Sequence, residues 1–446
     1  MKKEDLYLNS PLLLQNLLIN FQGFIITNCR YNKNFRHWYE TLKLSDPDKL
    51  NEDALSEFLI KTHQTQFWSE RFDKYNVQFN KKNNLVSEIQ KLPILTKMEV
   101  KNNIQQIINK NVGGRTLISH TSGTTGSGLV FPRTLEMENK QWAIWWRYRS
   151  WYNIGLDTWM GWFGGRSIAS INQTIPPYWR VNYPMRQVMF SAHHLNDKTV
   201  HSYFDIIKSR KLTWLHGYPS QLSLLSHLIK NNNLGALPNI KIITLGSENL
   251  LSSQKKIIED VFNVPVKQHY GLAEGVANIS EHPDGRLIAD QDFAFTEFIP
   301  IDNNNPSICK IIGTNYSNSA FPLIRYDTGD QAHIKWNKDG TPIILSINGR
   351  QEDYITLPSG VKLGRLDHIF KDLTEIQEAQ IFQPSLNHII IRVVKGHNYE
   401  RFNQEKSLIT EARKRLGNDI TISIEYLQKI KKTKAGKLKF VISQIE

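Results

Sequence analysis

The chain has 446 residues, 40% of them hydrophobic and 22% charged, which gives ample apolar material for a large core and excludes a disordered or fibrous class. Its formal net charge of +13 would suit nucleic acid or an anionic membrane, but the basic excess is spread out, with no arginine-rich block and no nucleic-acid motif, so no nucleic-acid partner is expected. The only two cysteines, Cys29 and Cys309, suggest neither a disulfide framework nor a cysteine zinc site, and a reducing cytoplasm fits that usage.

Near the start, "SPLLLQNLLINFQGFIITNC" is apolar but broken by Gln15, Asn16, Asn20 and Gln22. It reads as an amphipathic helix packed on its own domain rather than a signal peptide or an integral membrane segment, with contact to a membrane surface as the second reading. Residues 1 to about 110 read as mainly helical; "NEDALSEFLIKTHQTQFWSERF" has helical apolar spacing with Asn51 or Asp53 as its N-cap. From 115 to 350 short apolar runs alternate with helical patterns. "IKIITLG", "PVKQHYG" and "LIRYDTGD" read as buried strands that end at polar turns, and "SYFDIIKSR", "SQLSLLSHLIK" and "SSQKKIIEDVF" as helices between them. This alternation predicts an α/β domain whose ligands sit beyond the carboxyl ends of its strands. After Arg350, the strands "HIIIRVV" and "ITISIEYL" flank a helix in "NQEKSLITEARKRLG", which predicts a small α+β domain. The division expected is a large domain over 1–349, with 1–110 as its helical lead-in, and a small one over 350–446.

Within the large domain, "SHTSGTTGSGLVFP" (119–132) mixes glycines with hydroxyl side chains between two strand-like runs, "RTLI" and "LVFP". A Walker A loop fails here, because Leu129 and Val130 stand where lysine and Ser/Thr are required. Two readings stay open: an ordinary hairpin loop, and a nest whose hydroxyls and glycine amides hold phosphate oxygens. Six of the eleven tryptophans fall between Trp142 and Trp162. Trp142, Trp145, Trp146 and Arg149 have helical spacing, which reads first as a core stripe and second as a substrate wall.

Further along, "YGLAEG" sets Tyr270 and Glu274 four residues apart in a glycine-bounded loop. The aromatic ring suits stacking on a purine and the carboxylate suits Mg2+, a cation that takes oxygen ligands. "LIRYDTGD" ends in Asp330, suited to two ribose hydroxyls; "INGRQEDYI" carries Arg350; "KIKKTKAGKLK" has six lysines over 429–439 and no acid. Taken singly, each has a structural alternative: a core tyrosine, a helix-capping glutamate, a turn aspartate, a solvated basic tail.

In combination and in this order, T-S-G-T-T-G, Y-G-x-x-E, Y-x-T-G-D, G-R-x-x-D and a terminal G-K resemble the adenylate-forming superfamily of acyl-CoA synthetases, peptide-synthetase adenylation domains and luciferases. The chain is most similar to the phenylacetate–CoA ligase branch and, within it, to the CapK-like subgroup named for capsular polysaccharide biosynthesis. "LPILTKMEV", "PPYWRVN", "SAHHL", "LHGYPSQL" and "LGSENL" support this, and the resemblance spans nearly the whole chain. Three departures stand out. Ser127-Gly128-Leu129 replaces a proline and lysine common after the loop, Lys431 replaces the proline that opens the terminal motif, and Cys309 stands alone where some relatives carry a cysteine cluster.

The resemblance implies an ATP-dependent, AMP-forming ligase of the cytoplasm. It would join a small carboxylic acid to ATP as an acyl-adenylate, then pass the acyl group to a thiol such as coenzyme A or to an amine, in capsule or O-antigen synthesis. Thr121, Ser122, Thr124 and Thr125 with Gly123 and Gly126 would hold ATP phosphates. Thr125 or Glu274 would organise Mg2+. Gly246, Ser247 and Glu248 would line the adenine, with Tyr270 and Gly271 against its face. Asp330 and Arg350 would grip the ribose. Lys437 would be the catalytic lysine, acting with Glu274 and Thr125, and Glu352 the hinge on which the small domain moves. His194, Arg166 and Tyr218 would face the acid. Two other functions remain open at this point: an adenylyltransferase that leaves AMP on its acceptor, and a non-catalytic nucleotide-binding protein.

Overall fold

A computed structural model describes residues 3–79, 84–121, 128–248, 250, 252–302, 304–348, 355–363, 366–370, 373, 376–395, 399–428, 430–431 and 441–445. The lead-in is helical, as expected: α1 (Lys3–Leu8), α2 (Leu12–Arg30), α3 (Lys33–Leu44), α4 (Glu52–Thr62), α5 (Gln66–Lys74), α6 (Leu85–Gln90), α7 (Lys97–Asn102) and α8 (Ile104–Ile107). Asn51 caps α4, its side chain accepting from Ala54 N at 3.0 Å. Leu55, Phe58, Leu59, Trp68 and Phe72 then bury together with Phe321 and Leu323, which fastens the lead-in to the later strands.

Next comes a hairpin, β1 (Thr116–His120) and β2 (Val130–Thr134), followed by α9 (Leu135–Ser150). Then β3 (Met160–Phe163), β4 (Trp179–Asn182), β5 (Gln187–Phe190), α10 (Val200–Ser209), β6 (Trp214–Gly217), α11 (Pro219–Asn231), β7 (Ile242–Gly246), α12 (Ser252–Phe262) and β8 (Val266–Gly271) give the expected alternation. The six strands β9 (Asn278–Glu281), β10 (Leu287–Ala289), β11 (Phe295–Asp302), β12 (Asn305–Thr314), β13 (Tyr326–Trp336) and β14 (Pro342–Asn348) follow. All of these strands from β3 to β14 join one sheet in the order β11-β12-β13-β14-β10-β9-β8-β7-β6-β3-β5-β4.

The sheet is mixed. Strands β5, β3, β6, β7 and β8 run parallel, whereas β4 and β9 to β14 pair antiparallel. The parallel half is covered on one face by α10, α11 and α12, with Val188, Phe204, Leu215, Leu222, Ile243 and Ile258 in that core, as buried parallel strands require. The antiparallel half curls around its own apolar centre of Ile279, Cys309, Ile311, Ile334 and Ile347.

"LIRYDTGD" does not end a strand, contrary to the sequence reading. The strand begins at Tyr326 and runs through Thr328-Gly329-Asp330 to Trp336. Gly329 adopts φ +77°, open to glycine at little cost, in a bulge where the register against β12 slips between Lys310 and Ile312. Thr328 Oγ1 donates to Ile311 O at 2.8 Å and accepts Asp330 N at 3.1 Å, so the bulge keeps its polar groups paired.

Two of the polar residues that interrupt α2, Gln15 and Asn20, anchor it. Gln15 Oε1 accepts from Arg180 Nε and Nη2 at 2.9 and 2.6 Å, and Asn20 bonds Val181 O and Tyr183 N, both at 2.9 Å. The opposite face leaves Leu13, Leu17, Phe21 and Phe24 exposed. By length and composition α2 is apolar enough to cross a membrane, yet one side of it lies along β4.

The remaining described segments are β15 (Ile355–Thr356), β16 (Lys362–Leu363), a 3₁₀ turn (Leu366–Phe370), β17 (Ile376–Ser385), β18 (His388–Lys395), α13 (Arg401–Leu416), β19 (Thr421–Tyr426) and β20 (Val441–Ser443). The last four strands form the sheet β19-β18-β17-β20. That sheet and α13 enclose a separate core that includes Ile381, Ile391, Val393, Leu408 and Ala412.

Candidate active site

The carboxyl ends of β6, β7 and β8 carry the residues singled out in the sequence. Gly246 closes β7, and Ser247 follows in the left-handed region with φ +70°, a conformation a non-glycine residue keeps only where its surroundings hold it. Glu248 comes next and is half-buried. Tyr270 and Gly271 end β8. Tyr270 Oη donates to Asp330 Oδ2 at 2.8 Å, although β13 and β8 are separated in the sheet by β14, β10 and β9. The curl of the antiparallel half brings them together. Two residues sixty positions apart in sequence thus meet at one rim, with Gly246 and Ser247 at the end of the neighbouring strand.

Glu274 is buried at 6% exposure, in a loop clamped from two sides. Asn315 Nδ2 donates to Glu274 O at 3.0 Å, and Gln141 Nε2 donates to Leu272 O at 2.9 Å. Among the described residues no group of three or more His, Cys, Asp or Glu side chains gathers as a metal site. A Mg2+ ion suits the donor chemistry of this loop only as one carboxylate oxygen completed by phosphate and water, which is its common mode of binding.

The hairpin that carries the glycine-rich loop is closed at its neck. Thr121 N donates to Leu129 O at 2.9 Å, and Thr121 Oγ1 accepts Leu129 N at 2.8 Å. A Cβ on Gly128 would fall 1.9 Å from Thr121 O, so only glycine fits there. The buried Thr121 hydroxyl thus serves the loop's geometry. Ser122, Gly123, Thr124, Thr125 and Gly126 lie outside the described residues, as do Arg350, Glu352 and Lys437.

On the expected acid side, Arg166 and Tyr218 line a small cleft of about 60 Å³ with Gly165, His193, Lys414 and Arg415. Arg415 Nη1 donates to Gly165 O at 3.3 Å, so the last turn of α13 closes one wall. His194 is not among the residues that line this cleft. It is buried, stacked on Tyr178 at 4.8 Å, with Nδ1 2.8 Å from Ser191 Oγ. Burial first, and His193 beside it, push His194 down to about 4, so it stays neutral at neutral pH. Its neighbour His193 takes the wall position.

A second and larger cavity, of about 260 Å³, lies between α9 and the strands β3 and β6. Trp142, Trp146, Arg149, Trp162, Trp214 and His216 are among its walls. The tryptophan stripe of α9 packs into a core with Phe35, Ile144 and Met160, as read, and also borders this cavity. Trp145 alone turns away from this cavity, its Nε1 donating to Asn278 Oδ1 at 3.0 Å. Helical spacing located the stripe, and nothing local in it revealed the gap beyond.

Comparison with known proteins bears on all of this. Residues 358–444 match the family described as the CapK C-terminal domain. The whole chain is similar to "Protein CapK" of Staphylococcus aureus, at 27% identity over 460 residues and 99% of each chain. Among solved structures it resembles a 2-hydroxyisobutyryl-CoA ligase in complex with 2-HIB-AMP and CoA in the thioesterification state. That match has a TM-score of 0.50 at 14% identity, over 98% of this chain and 91% of that one. The same ligase in its postadenylation state gives a TM-score of 0.49 at 15% identity, over 88% and 89% of the two chains. The chain is thus similar to CapK along its length, and its mixed α/β fold, a large N-terminal part followed by a small C-terminal one, resembles that of the 2-hydroxyisobutyryl-CoA ligase.

Proposed function

We propose that this CapK-like chain is an ATP-dependent, AMP-forming ligase that activates a carboxylic acid. The observation that carries the reading is the Tyr270–Asp330 hydrogen bond of 2.8 Å, which joins two of the five sequence signatures at the strand rim beside Gly246 and Ser247. A purine laid against Tyr270 would place its ribose hydroxyls within reach of Asp330, with Arg350 as the second group on the sugar.

In the first half-reaction a carboxylate oxygen attacks the α-phosphorus and pyrophosphate leaves with the bonding electron pair. Two anions must meet, so positioning and charge neutralisation supply most of the rate. Ser122, Thr124 and Thr125 with the amides of Gly123 and Gly126 hold the β- and γ-phosphates in this scheme, and Lys437 bridges carboxylate and phosphate as charge shifts. Glu274, with Thr125, would hold Mg2+, which neutralises phosphate charge when bound. In the second half-reaction a thiol or amine attacks the acyl carbon and AMP leaves.

The solved 2-hydroxyisobutyryl-CoA ligase, whose complex contains an acyl-AMP and CoA, supports coenzyme A as one acceptor; an amine on a surface-polysaccharide component is the other, from the likeness to CapK. We place the domain boundary at 349/350 and the hinge at Glu352. The phenylacetate–CoA ligase branch remains our assignment within the superfamily.

The test is ATP–pyrophosphate exchange with a panel of aromatic, aliphatic, amino and uronic acids, on the wild type and Lys437→Ala. Exchange with at least one acid is expected, reduced by roughly 100-fold or more in the variant, the scale of losing a charge-stabilising group. No exchange with any acid, or an unaffected variant, overturns the reading. Free AMP as final product separates a ligase from an adenylyltransferase.

A further inference from the structure

Arg149 is 5% exposed, yet no hydrogen bond or ion pair reaches its guanidinium from any described residue, and its Nε is buried without a partner. What surrounds it is aromatic: its Cζ lies 4.8 Å from the ring centroid of Trp146 and 5.2 Å from that of Trp214. Burial lowers its pKa to about 10, so the charge persists at neutral pH. An arginine cannot escape burial by giving up its proton, and π-faces only partly replace lost hydration. A buried cation left in this state is complete only when an anion joins it.

The space for that anion is present. Arg149 lines the 260 Å³ cavity together with Arg36 at an exposed position, Thr27, Thr158 and Gln187, and among the described residues no carboxylate shares those walls. Tryptophans form the sides, offering flat apolar contact to a ring with polar groups at its edge. One tryptophan borders this cavity and also neighbours the small cleft. Trp162 forms part of the cavity wall, and Arg166, which lines the small cleft at the strand ends, sits with Cζ 6.0 Å from the Trp162 ring centroid.

We infer that this cavity holds the far end of the acid substrate and that Arg149 pairs there with a second anionic group, a carboxylate or a phosphate, carried on a ring. The inference rests on the ligase reading for the identity of the ligand as substrate. The anion site itself rests on the cavity alone. The enzyme would then select a doubly anionic acid over its monoanionic analogue.

The experiment is isothermal titration of the full chain, without ATP, using three probes: phenylacetate, 4-carboxyphenylacetate and 4-(phosphonooxy)phenylacetate. The expected result is that at least one dianion binds about tenfold or more tighter than phenylacetate, the scale of one charged hydrogen-bonded pair. The tighter dianion tells which anionic group the site takes. Arg149→Met should bring the dianions to within about twofold of phenylacetate, and Arg149→Lys should retain part of the preference. Equal affinities in the wild type, or a preference intact in Arg149→Met, overturns the inference. The Arg149→Met thermal midpoint should be unchanged or raised, because an unpaired charge is removed; a fall would mark a structural role instead. If that variant fails to fold, exposed Arg36→Ala carries the test, with about threefold weaker binding expected for the dianions alone. Selective dianion binding without pyrophosphate exchange sinks the ligase reading and leaves the site standing. Exchange that is indifferent to Arg149 does the reverse.

Discussion

Two arginines two residues apart on α9 have opposite surroundings. Residues at this spacing leave a helix on different sides. Arg147 points to Asp290 and Asp292: Nη2 lies 2.5 Å from Asp290 Oδ1, Nη1 lies 2.5 Å from Asp292 Oδ2, and Leu42 O accepts a further bond at 3.1 Å. Burial alone would lower its pKa, but the two carboxylates more than offset this and hold it above the ordinary arginine value. Arg149 points into the cavity and meets tryptophan faces and neutral histidines. One buried cation belongs to the scaffold and carries its own counter-charges. The other has been left without them, and a site is the physical reason to leave it so.

The largest effect should come from breaking the first arrangement. Arg147→Met strands Asp290 and Asp292 beneath the sheet as buried unpaired carboxylates, at a cost of about 3–5 kcal/mol. Urea denaturation of the full chain would show it as a lowered midpoint with an unchanged slope; a midpoint equal to wild type would mean the carboxylates are solvated after all.

Acid sharpens the contrast next. Beside Arg149, burial first and the Arg149 charge second push His269 down to about 3 and His216 well below the usual 6.5. Below pH 6.5 the unfolded chain takes up protons on these rings and the folded chain does not. Stability present above that pH is therefore lost as the pH falls toward 3. Removing Arg149 lifts both folded-state values, so Arg149→Met should lose less stability than wild type as the pH falls from 7.5 to 4. Paired denaturation curves at the two pH values measure this, and identical losses would show that the charge does not reach the histidines.

The smallest effect is expected for Arg149→Met at neutral pH: a change within about 1 kcal/mol, neutral or stabilising, since no partner is stranded. If the same denaturation assay gave a loss as large as that of Arg147→Met, the two arginines would have the same task.

What the sequence revealed follows the range of the forces involved. The helices α10 to α13 and the strands β7, β8, β18 and β19 were readable because capping and apolar spacing act within a few residues. β13 was misread at "LIRYDTGD" because glycine and aspartate mark turns more often than bulges; the distinction depends on β12, a different segment. The union of Tyr270 with Asp330 came to the sequence only through the order of signatures, since it depends on the curl of a sheet. His193 and His194 are adjacent, and no local signal tells which of them lines the cleft. Arg149 was legible as a member of a stripe, but whether a stripe packs shut or borders a cavity is decided by Met160, Trp162, Trp214 and His216, far along the chain.

The Asn20 side chain on α2 has a consequence beyond anchoring a helix. β4 is the last strand of its sheet, and a last strand offers unpaired backbone groups to any extended chain that comes alongside. Val181 O and Tyr183 N are such a pair, and one side-chain amide takes both, donating to the first and accepting from the second. This is the bonding that one residue of a thirteenth strand would supply. The helix thereby ends the sheet chemically as well as sterically, and two molecules meeting along this border find those positions already taken.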